Sequence, residues 1–483
     1  MIRPPHRLRT FTGFAALVLA GCAAPSVPSP NPVMVELPSM WAEGISPNSE
    51  VWPDTSWWQQ FQSPELNALV TESRARNFDL VAATARITQA EAQTNIARAA
   101  RFPSVSVGAA GQNQGALASG AAASNLLFGV SGQVAYEADF WGVARNNIRA
   151  AQSLLQSTQF ARETVALTIT AETANSFFEV LAFRERLAIA SRNLETATRI
   201  VEAIRRLTEN GLSSPLDLAQ QEVLIAGQAA AIPALQQQER EAFYRLAVLL
   251  GRAPAGFSVN AESLSGLPYP AVSPGLPSEL LLRRPDIAQA EANLAAADAN
   301  IEAARGAFLP KIALTGSGGL VTGAISVVTD GFIGGDVAAA SGGAGLVYAL
   351  GASLLQTIFD GGRRQGQLQL AQAQQQELVA DYRKAVFKSF GEVETAINQV
   401  SRLAERERLK TEQVTKATTV FDISNVQYRE GLIGLLALLQ AQQTLFTAQD
   451  ELVELRLARL QAITSLYRAL GGGWVRNPET TAP

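Results

Sequence analysis

The sequence predicts a mainly α-helical chain with a β-barrel portion, in which long antiparallel coiled-coil arms carry four strands that contribute to a shared transmembrane barrel. Three observations lead there. The 483-residue chain matches itself at an offset of roughly 205 to 220 residues, far longer than a solenoid period, so it is read as a duplicated half. Each half contains helical stretches with apolar residues at every seventh position. Each half also contains segments in which apolar and polar residues alternate, the period of a strand with two different faces.

Taken in order, residues 1–21 read as an export signal. Arg3, Arg7 and Arg9 form the basic region, and Phe11 to Ala20 form an apolar run too short to span a bilayer. The run ends in Leu19-Ala20-Gly21-Cys22, which looks like the bacterial lipoprotein cleavage box, with Cys22 the acylated first residue of the mature chain. Ala23 follows rather than an aspartate, which by analogy with known lipoproteins favours the outer membrane. Residues 22–56, rich in proline and serine, read as a lipidated tether.

The first half covers residues 57–250. Ser63-Pro64-Glu65-Leu66 is an N-cap with proline at the first helical position, opening a helix expected to run to about Arg101. A hairpin over about 104–140 follows Pro103, then a helix over about 143–209 whose length is about 100 Å at 1.5 Å per residue. A tip at about 210–215 and a return helix from Pro215 to Leu250 complete the half. Residues 251–282 form a connector. The second half, 283–470, repeats the order: a helix to about 309, a hairpin at about 311–358, a long helix at about 361–430, a tip at about 431–435 and a return helix, with 471–483 as a tail. Glu209-Asn210-Gly211-Leu212 aligns with Arg429-Glu430-Gly431-Leu432, and the extra length of the second half falls in a Gly- and Ala-rich loop after Pro310.

The heptads give the arms their partners. Val180, Leu187, Leu194 and Val201 recur beside Phe183, Ala190, Ala197 and Ile204; Val379, Val386, Val393 and Val400 do so in the second half, and Leu438, Leu445 and Leu452 on its return helix. In the hairpins, Phe128, Val130, Val134 and Tyr136 oppose Ser131, Gln133 and Glu137, and Ile312, Leu314 and Leu320 oppose Lys311, Thr315 and Ser317. One face is expected to meet lipid and the other water, with Tyr136, Trp141 and Tyr348 as candidate membrane-interface anchors. Four strands cannot close a membrane barrel, whose smallest examples have about eight. Several chains must share one; a trimer with twelve strands is the simplest count, and pairing alone leaves a dimer or tetramer open.

Composition excludes most chemistry. A net charge of -4 lacks the basic footprint of nucleic-acid binders. The only histidine is His6 and the only cysteine Cys22, so the mature chain has no histidine base, no Ser-His or Cys-His nucleophile and no His/Cys metal site. No catalytic residue, cofactor or metal is expected.

Four motifs in one order carry a resemblance: Trp57-Trp58 with Phe61 and Pro64-Glu65-Leu66; Tyr136-Glu137-Ala138-Asp139-Phe140-Trp141-Gly142; Gly211-Leu212-Ser213-Ser214-Pro215-Leu216-Asp217; and Leu282-Arg283-Arg284-Pro285-Asp286-Ile287. In these the chain resembles the outer membrane factors of tripartite efflux systems, the TolC-like superfamily and its OprM- and NodT-like lipoprotein branch. The resemblance implies a homotrimer with a twelve-stranded barrel in outer-membrane lipid, a helical tunnel through the periplasm, and docking on a periplasmic adaptor coupled to an inner-membrane pump of RND type. It implies a passive exit duct for drugs or other small toxic molecules; a type I secretion duct or a non-conducting scaffold are the alternatives. By the same resemblance Gly211, Leu212, Ser213, Ser214, Gly431 and Leu432 are the adaptor-contacting tips. One departure stands out: the OprM-like pattern has an aspartate two residues after the second tip glycine, where this chain has Ile433. Ile433, Gly434 and Leu435 are therefore expected to seal the tip by apolar packing. Arg283, Arg284 and Asp286 read as the start of a helix.

Overall fold

A computed structural model describes residues 40–42, 52–118, 121–272, 274–322 and 344–476. Cys22, the signal and the loop after Thr322 lie outside these residues. After a short 3-10 turn at Trp57–Phe61 come α1 (Pro64–Arg76) and α2 (Phe78–Ala99). Then follow β1 (Ser104–Ala118), β2 (Ala121–Glu137), α3 (Val143–Glu209) and α4 (Pro215–Leu249). After the connector and a helical turn at Leu280–Arg283, the second half supplies α5 (Pro285–Gly306), β3 (Lys311–Thr322), β4 (Ala344–Leu355), α6 (Arg363–Arg429) and α7 (Leu435–Ala469).

The two 67-residue helices α3 and α6 are each about 100 Å long and run the full height of the helical body. Near the strands the helices lie side by side as α2-α3-α5-α6; towards the tips the row is α4-α3-α7-α6. Each out-and-back arm is thus made of one long helix and two shorter ones stacked end to end. The seven-residue apolar rows lie in these seams: Ala190, Ala197, Val201 and Ile204 are buried on α3, Val386 and Val393 on α6, and Leu438, Leu445 and Leu452 on α7. Glycine starts both long helices in a left-handed conformation, Gly142 at φ +77° and Gly362 at φ +88°. Nearby carboxylates cap them: Asp139 accepts from the Ala144 and Arg145 N–H groups, and Asp360 from those of Gly362 and Arg364.

The helix expected over 64–101 is two helices. Asn77 is extended (φ -60°, ψ 132°) and caps α2 through Oδ1, which accepts from the Asp79 and Leu80 N–H groups. Its Nδ2 donates to the Leu249 carbonyl at 3.0 Å, closing an open end of α4. The break exists because one side chain serves two helix ends.

The tether is also not free along its whole length. Trp41 is 2% exposed, packs on Phe390 with ring centroids 6.0 Å apart and donates its indole N–H to the Gly275 carbonyl at 2.8 Å. Trp52 is buried over Gly275, where a Cβ would meet its ring at 2.6 Å, and Arg283 lies over the ring at 4.9 Å from the centroid. Two large aromatic rings among prolines bury more apolar area than a solvated linker can leave in water. Together with the connector they form a belt around the middle of the helices. Its core gathers Trp57, Phe61, Phe177, Phe178, Phe243 and Tyr467, with Trp57 stacked on Tyr467 at 4.8 Å. Glu65 and Glu185 fasten the connector by accepting from the Asn260, Ala261 and Leu264 N–H groups.

The four strands form one antiparallel sheet in the order β1-β2-β3-β4. The pairing Val105↔Val134, Tyr136↔Leu314 and Val130↔Leu320↔Leu346 puts Val105, Val130, Val134, Tyr136, Leu314, Leu320, Leu346, Tyr348 and Leu350 on one face. Ser104, Ser106, Ser131, Gln133, Glu137, Lys311, Thr315 and Ser317 share the other, where Lys311 and Glu137 pair at 3.3 Å.

Candidate functional site

Both arms turn on the same backbone device. After α3, Gly211 at φ +74° donates to the Thr208 carbonyl at 3.0 Å and Leu212 donates to the Leu207 carbonyl at 2.8 Å. After α6, Gly431 at φ +70° donates to Tyr428 at 3.0 Å and Leu432 to Gln427 at 2.8 Å. This is the paired bond pattern by which a left-handed glycine closes a helix end. The helix-to-helix reversal therefore needs glycine for its φ alone, since a Cβ at either position would meet open space.

The two tips then differ. In the first, the Ser214 hydroxyl accepts from the Leu216 N–H at 3.1 Å, while the Asp217 carboxylate accepts from the Ser213 hydroxyl at 3.1 Å and the Ser214 N–H at 3.3 Å. This reciprocal capping box, with Pro215 at the first helical position, fixes the start of α4. In the second, Gly434 occupies the cap position and supplies no side chain. Leucines project from both: Leu212 and Leu432 are 75% and 72% exposed, and Leu216 and Leu436 are also exposed. Ile433 is half-buried and Gly434 exposed at the apex. Leu435, grouped with them as a seal residue by sequence, is instead 3% exposed and packs with Ile200, Ile204, Phe421 and Leu438. The first residue of α7 points into the arm, because the helix seam begins there.

Tyr428 was not legible as a site residue, yet it joins the tips. In the last turn of α6, one residue before its end, its hydroxyl hydrogen-bonds Ser213 of the other tip. Burial pushes the phenol pKa up, the Ser213 bond opposes the shift and the Asp217 charge adds to it. A tyrosine three residues before the turn glycine, where the first arm has Thr208, was the available signal.

At the other end, the three aromatics expected at the membrane interface lie at two levels. Trp141 donates its indole N–H to the Pro310 carbonyl at 2.6 Å, where strands give way to helices, and half-buried Tyr136 pairs with Leu314 beside it. Tyr348 pairs with Gly318, farther along the sheet. The three do not form one girdle.

Arg284 does more than start a helix. Its guanidinium is buried, donates to both Asp286 oxygens at 3.0 and 2.6 Å and to the Ala469 carbonyl at 2.9 Å, and lies 2.8 Å from Glu392. Burial works against the Asp286 carboxylate, but the Arg284 guanidinium beside it holds its pKa below the ordinary value.

Among the described residues, no helix is both long and apolar enough to cross a membrane, which bears on helices alone. The sheet is the element with an apolar belt, and its outer strands β1 and β4 each have an edge that no strand of the same chain pairs among the described residues.

Comparison with known proteins agrees with this geometry. The family model described as "Outer membrane efflux protein" matches residues 69–252 and 276–472. The chain is 37% identical over 469 residues to the pyoverdine export outer membrane protein OpmQ of Pseudomonas aeruginosa PAO1, covering 95% of this chain and 96% of that one. It is 28% identical over 462 residues to the cation efflux system protein CusC of Escherichia coli K12, covering 95% and 98%. Its structure superimposes on the outer-membrane channel OprN with a TM-score of 0.83 at 26% identity, covering 93% of this chain and 99% of that one.

Proposed function

The chain belongs to the outer membrane efflux protein family, and on that premise we propose that three copies of it enclose one passive duct leading from the periplasm to the outside of the cell. It is an outer-membrane efflux channel of the tripartite type. The observation that carries the duct is the sheet: apolar on one face, hydroxyl- and amide-lined on the other, open at both edges, and mounted on helices about 100 Å long. An open edge presents unpaired N–H and C=O groups, which in lipid cost several kcal/mol each unless another strand satisfies them. Copies joined β1 to β4 remove every edge; three copies give the twelve strands expected of the barrel.

In this reading the exposed leucines of the two tips, with Gly211, Ser213, Ser214 and Gly431, meet a periplasmic adaptor, which couples the duct to an inner-membrane pump of RND type. Ile433 closes the resting tip by apolar contact between copies. Cys22 carries the lipid that holds the amino end at the outer membrane. The exported molecules are small. OpmQ is named for pyoverdine and CusC for cations, so one architecture serves unlike cargoes and the fold alone does not select among them.

Single-channel recording on the purified mature protein, after its oligomeric mass is measured, tests the proposal. Discrete conductance steps from a trimer support it. A properly inserted trimer that stays silent even after Gly431→Pro has loosened the tip would favour a non-conducting scaffold.

A further inference from the structure

We infer that the inner wall, at the height of the belt, carries a two-part binding site for a small solute bearing both a cationic and an anionic group. The inference rests on the channel reading, because that reading decides which face of the helices is the inner one. On α3 the aromatic belt packs against Ala174, Phe177, Phe178 and Leu181, and on α4 against Ala242, Phe243 and Leu246. At 100° per residue, the opposite faces carry Glu172, Ser176 and Glu179 on α3 and Glu241, Tyr244 and Arg245 on α4. The same holds on α6, where Val386, Phe390, Val393 and Ile397 meet the belt side and Lys388, Glu392 and Thr395 turn away. The belt is bulky, and among the described residues the other face bears no added structure, so the latter lines the bore.

Two hollows lie on that bare face. One, of about 920 Å³, is formed by α3, α4 and α7 and lined by Glu172, Glu179, Glu241, Tyr244 and Arg245. Arg245 is bonded to Glu179, so the hollow keeps a negative excess, and the Asn175 side-chain oxygen at its wall is buried without a hydrogen-bond partner. The other, of about 430 Å³, is formed by α6 and α7 and lined by Lys388, Glu392, Thr395 and Arg468. Glu392 is engaged by Arg284 at 2.8 Å and by Lys388 at 3.7 Å, so Arg468, which is exposed, supplies a positive excess. Ser465 lines both. The two hollows are therefore neighbours of opposite sign.

A solute with a guanidinium or ammonium group and a carboxylate can satisfy both hollows at once, whereas a singly charged solute meets only one. Most of the charged groups are exposed, with Glu179 and Glu392 half-buried in their ion pairs, so salt screens them and binding is weak. Weak binding suits a duct, since a solute that enters must also leave.

The test uses three capped peptides of equal size: acetyl-Arg-Gly-Asp-amide, acetyl-Arg-Gly-Asn-amide and acetyl-Gln-Gly-Asp-amide. Their binding to the purified trimer is read by calorimetry at low salt, and their blockade of single-channel current is read with the peptide added on the barrel side. The mixed-charge peptide should bind about tenfold more tightly than either of the others. That preference should vanish in Glu172→Gln/Glu241→Gln and in Lys388→Gln/Arg468→Gln, and fade as salt is raised. Equal binding of the three peptides, or an undiminished preference in both double variants, overturns the site while leaving a conducting channel intact. Loss of conductance in the unaltered trimer overturns the channel reading, and this inference with it.

Discussion

The two halves of the chain solve one problem with different chemistry. In each, a glycine just past the return helix presses against the residue two before the start of a shorter helix: Gly251 (φ +67°) on the Arg76 carbonyl and Gly471 (φ +86°) on the Arg283 carbonyl. In each, a side chain at that junction caps the last turn of the return helix, Asn77 on Leu249 and Arg284 on Ala469. The first half uses a neutral amide that holds two helix ends. The second uses a guanidinium that also needs Asp286 and Glu392. At the tips the contrast runs the other way, with the polar, capped turn in the first half and the apolar, uncapped turn in the second. Duplication preserves backbone geometry; the side chains that secure it are replaced freely.

The shared part should be the most fragile. An alanine at Gly471 would bring its Cβ within 1.9 Å of a backbone carbonyl, and Gly251→Ala repeats the problem at 2.5 Å. We expect each to cost about 3 to 5 kcal/mol, from backbone strain and overpacking together, with Gly471→Ala the worse in thermal unfolding. If both melt like the unaltered protein, the glycines are not the common joint. The pins should then separate the halves. Arg284→Ala removes a buried guanidinium and leaves two half-buried carboxylates, Asp286 and Glu392, without their shared partner, and should cost about 2 to 3 kcal/mol; Asn77→Ala should cost about 1 to 2 kcal/mol, the value of a helix cap.

Acid sharpens the same contrast. Because the Asp286 pKa is lowered in the folded chain, its stabilisation is complete above its unfolded value, about 3.9, and is lost as pH falls through the folded value. Unfolding midpoints measured from pH 6 to pH 3 should fall more for the unaltered chain than for Asp286→Asn. An identical slope would show that the second pin is not electrostatic.

At the tips the effects are smaller in stability and larger in gating. Ile433→Asp places one carboxylate per copy at the apex, and current through the channel should become sensitive to divalent cations by about tenfold; no change would reject the apolar seal. Tyr428→Phe removes the bond to Ser213 and should raise the open probability several-fold at a cost of about 1 kcal/mol. Ser214→Ala should cost about 1 kcal/mol, and Gly434→Ser should gain a few tenths by giving the second tip the cap it lacks.

The long elements were legible because helix period, heptad and strand alternation are local patterns, and the second copy of each corroborates the first. The turns were legible from Gly211 and Gly431, since few residues but glycine take that conformation. What escaped shares one cause: contacts between residues distant in sequence. Asn77 looks like an ordinary helical position until Leu249 is beside it; Tyr428 acquires a role only from Ser213; Leu435 is read as an apex residue unless the seam of α7 is already placed. Trp41 and Trp52 look like exceptions within a proline-rich linker, and only Gly275, more than two hundred residues on, explains them.

With the lipid proposed at Cys22, Trp41 would also make the amino end a leash whose reach the sequence sets. Cys22 lies 19 residues before it, a fully extended reach of about 65 Å. Trp41 is fastened beside Phe390, 27 residues down α6 from Arg363 at the sheet, a drop of about 40 Å. The leash is thus long enough to return to the membrane with slack to spare. A lipid planted there would hold each copy within one molecular length of the bilayer before any strand has found a neighbour. Insertion then becomes a search over tens of ångströms rather than over the width of the periplasm.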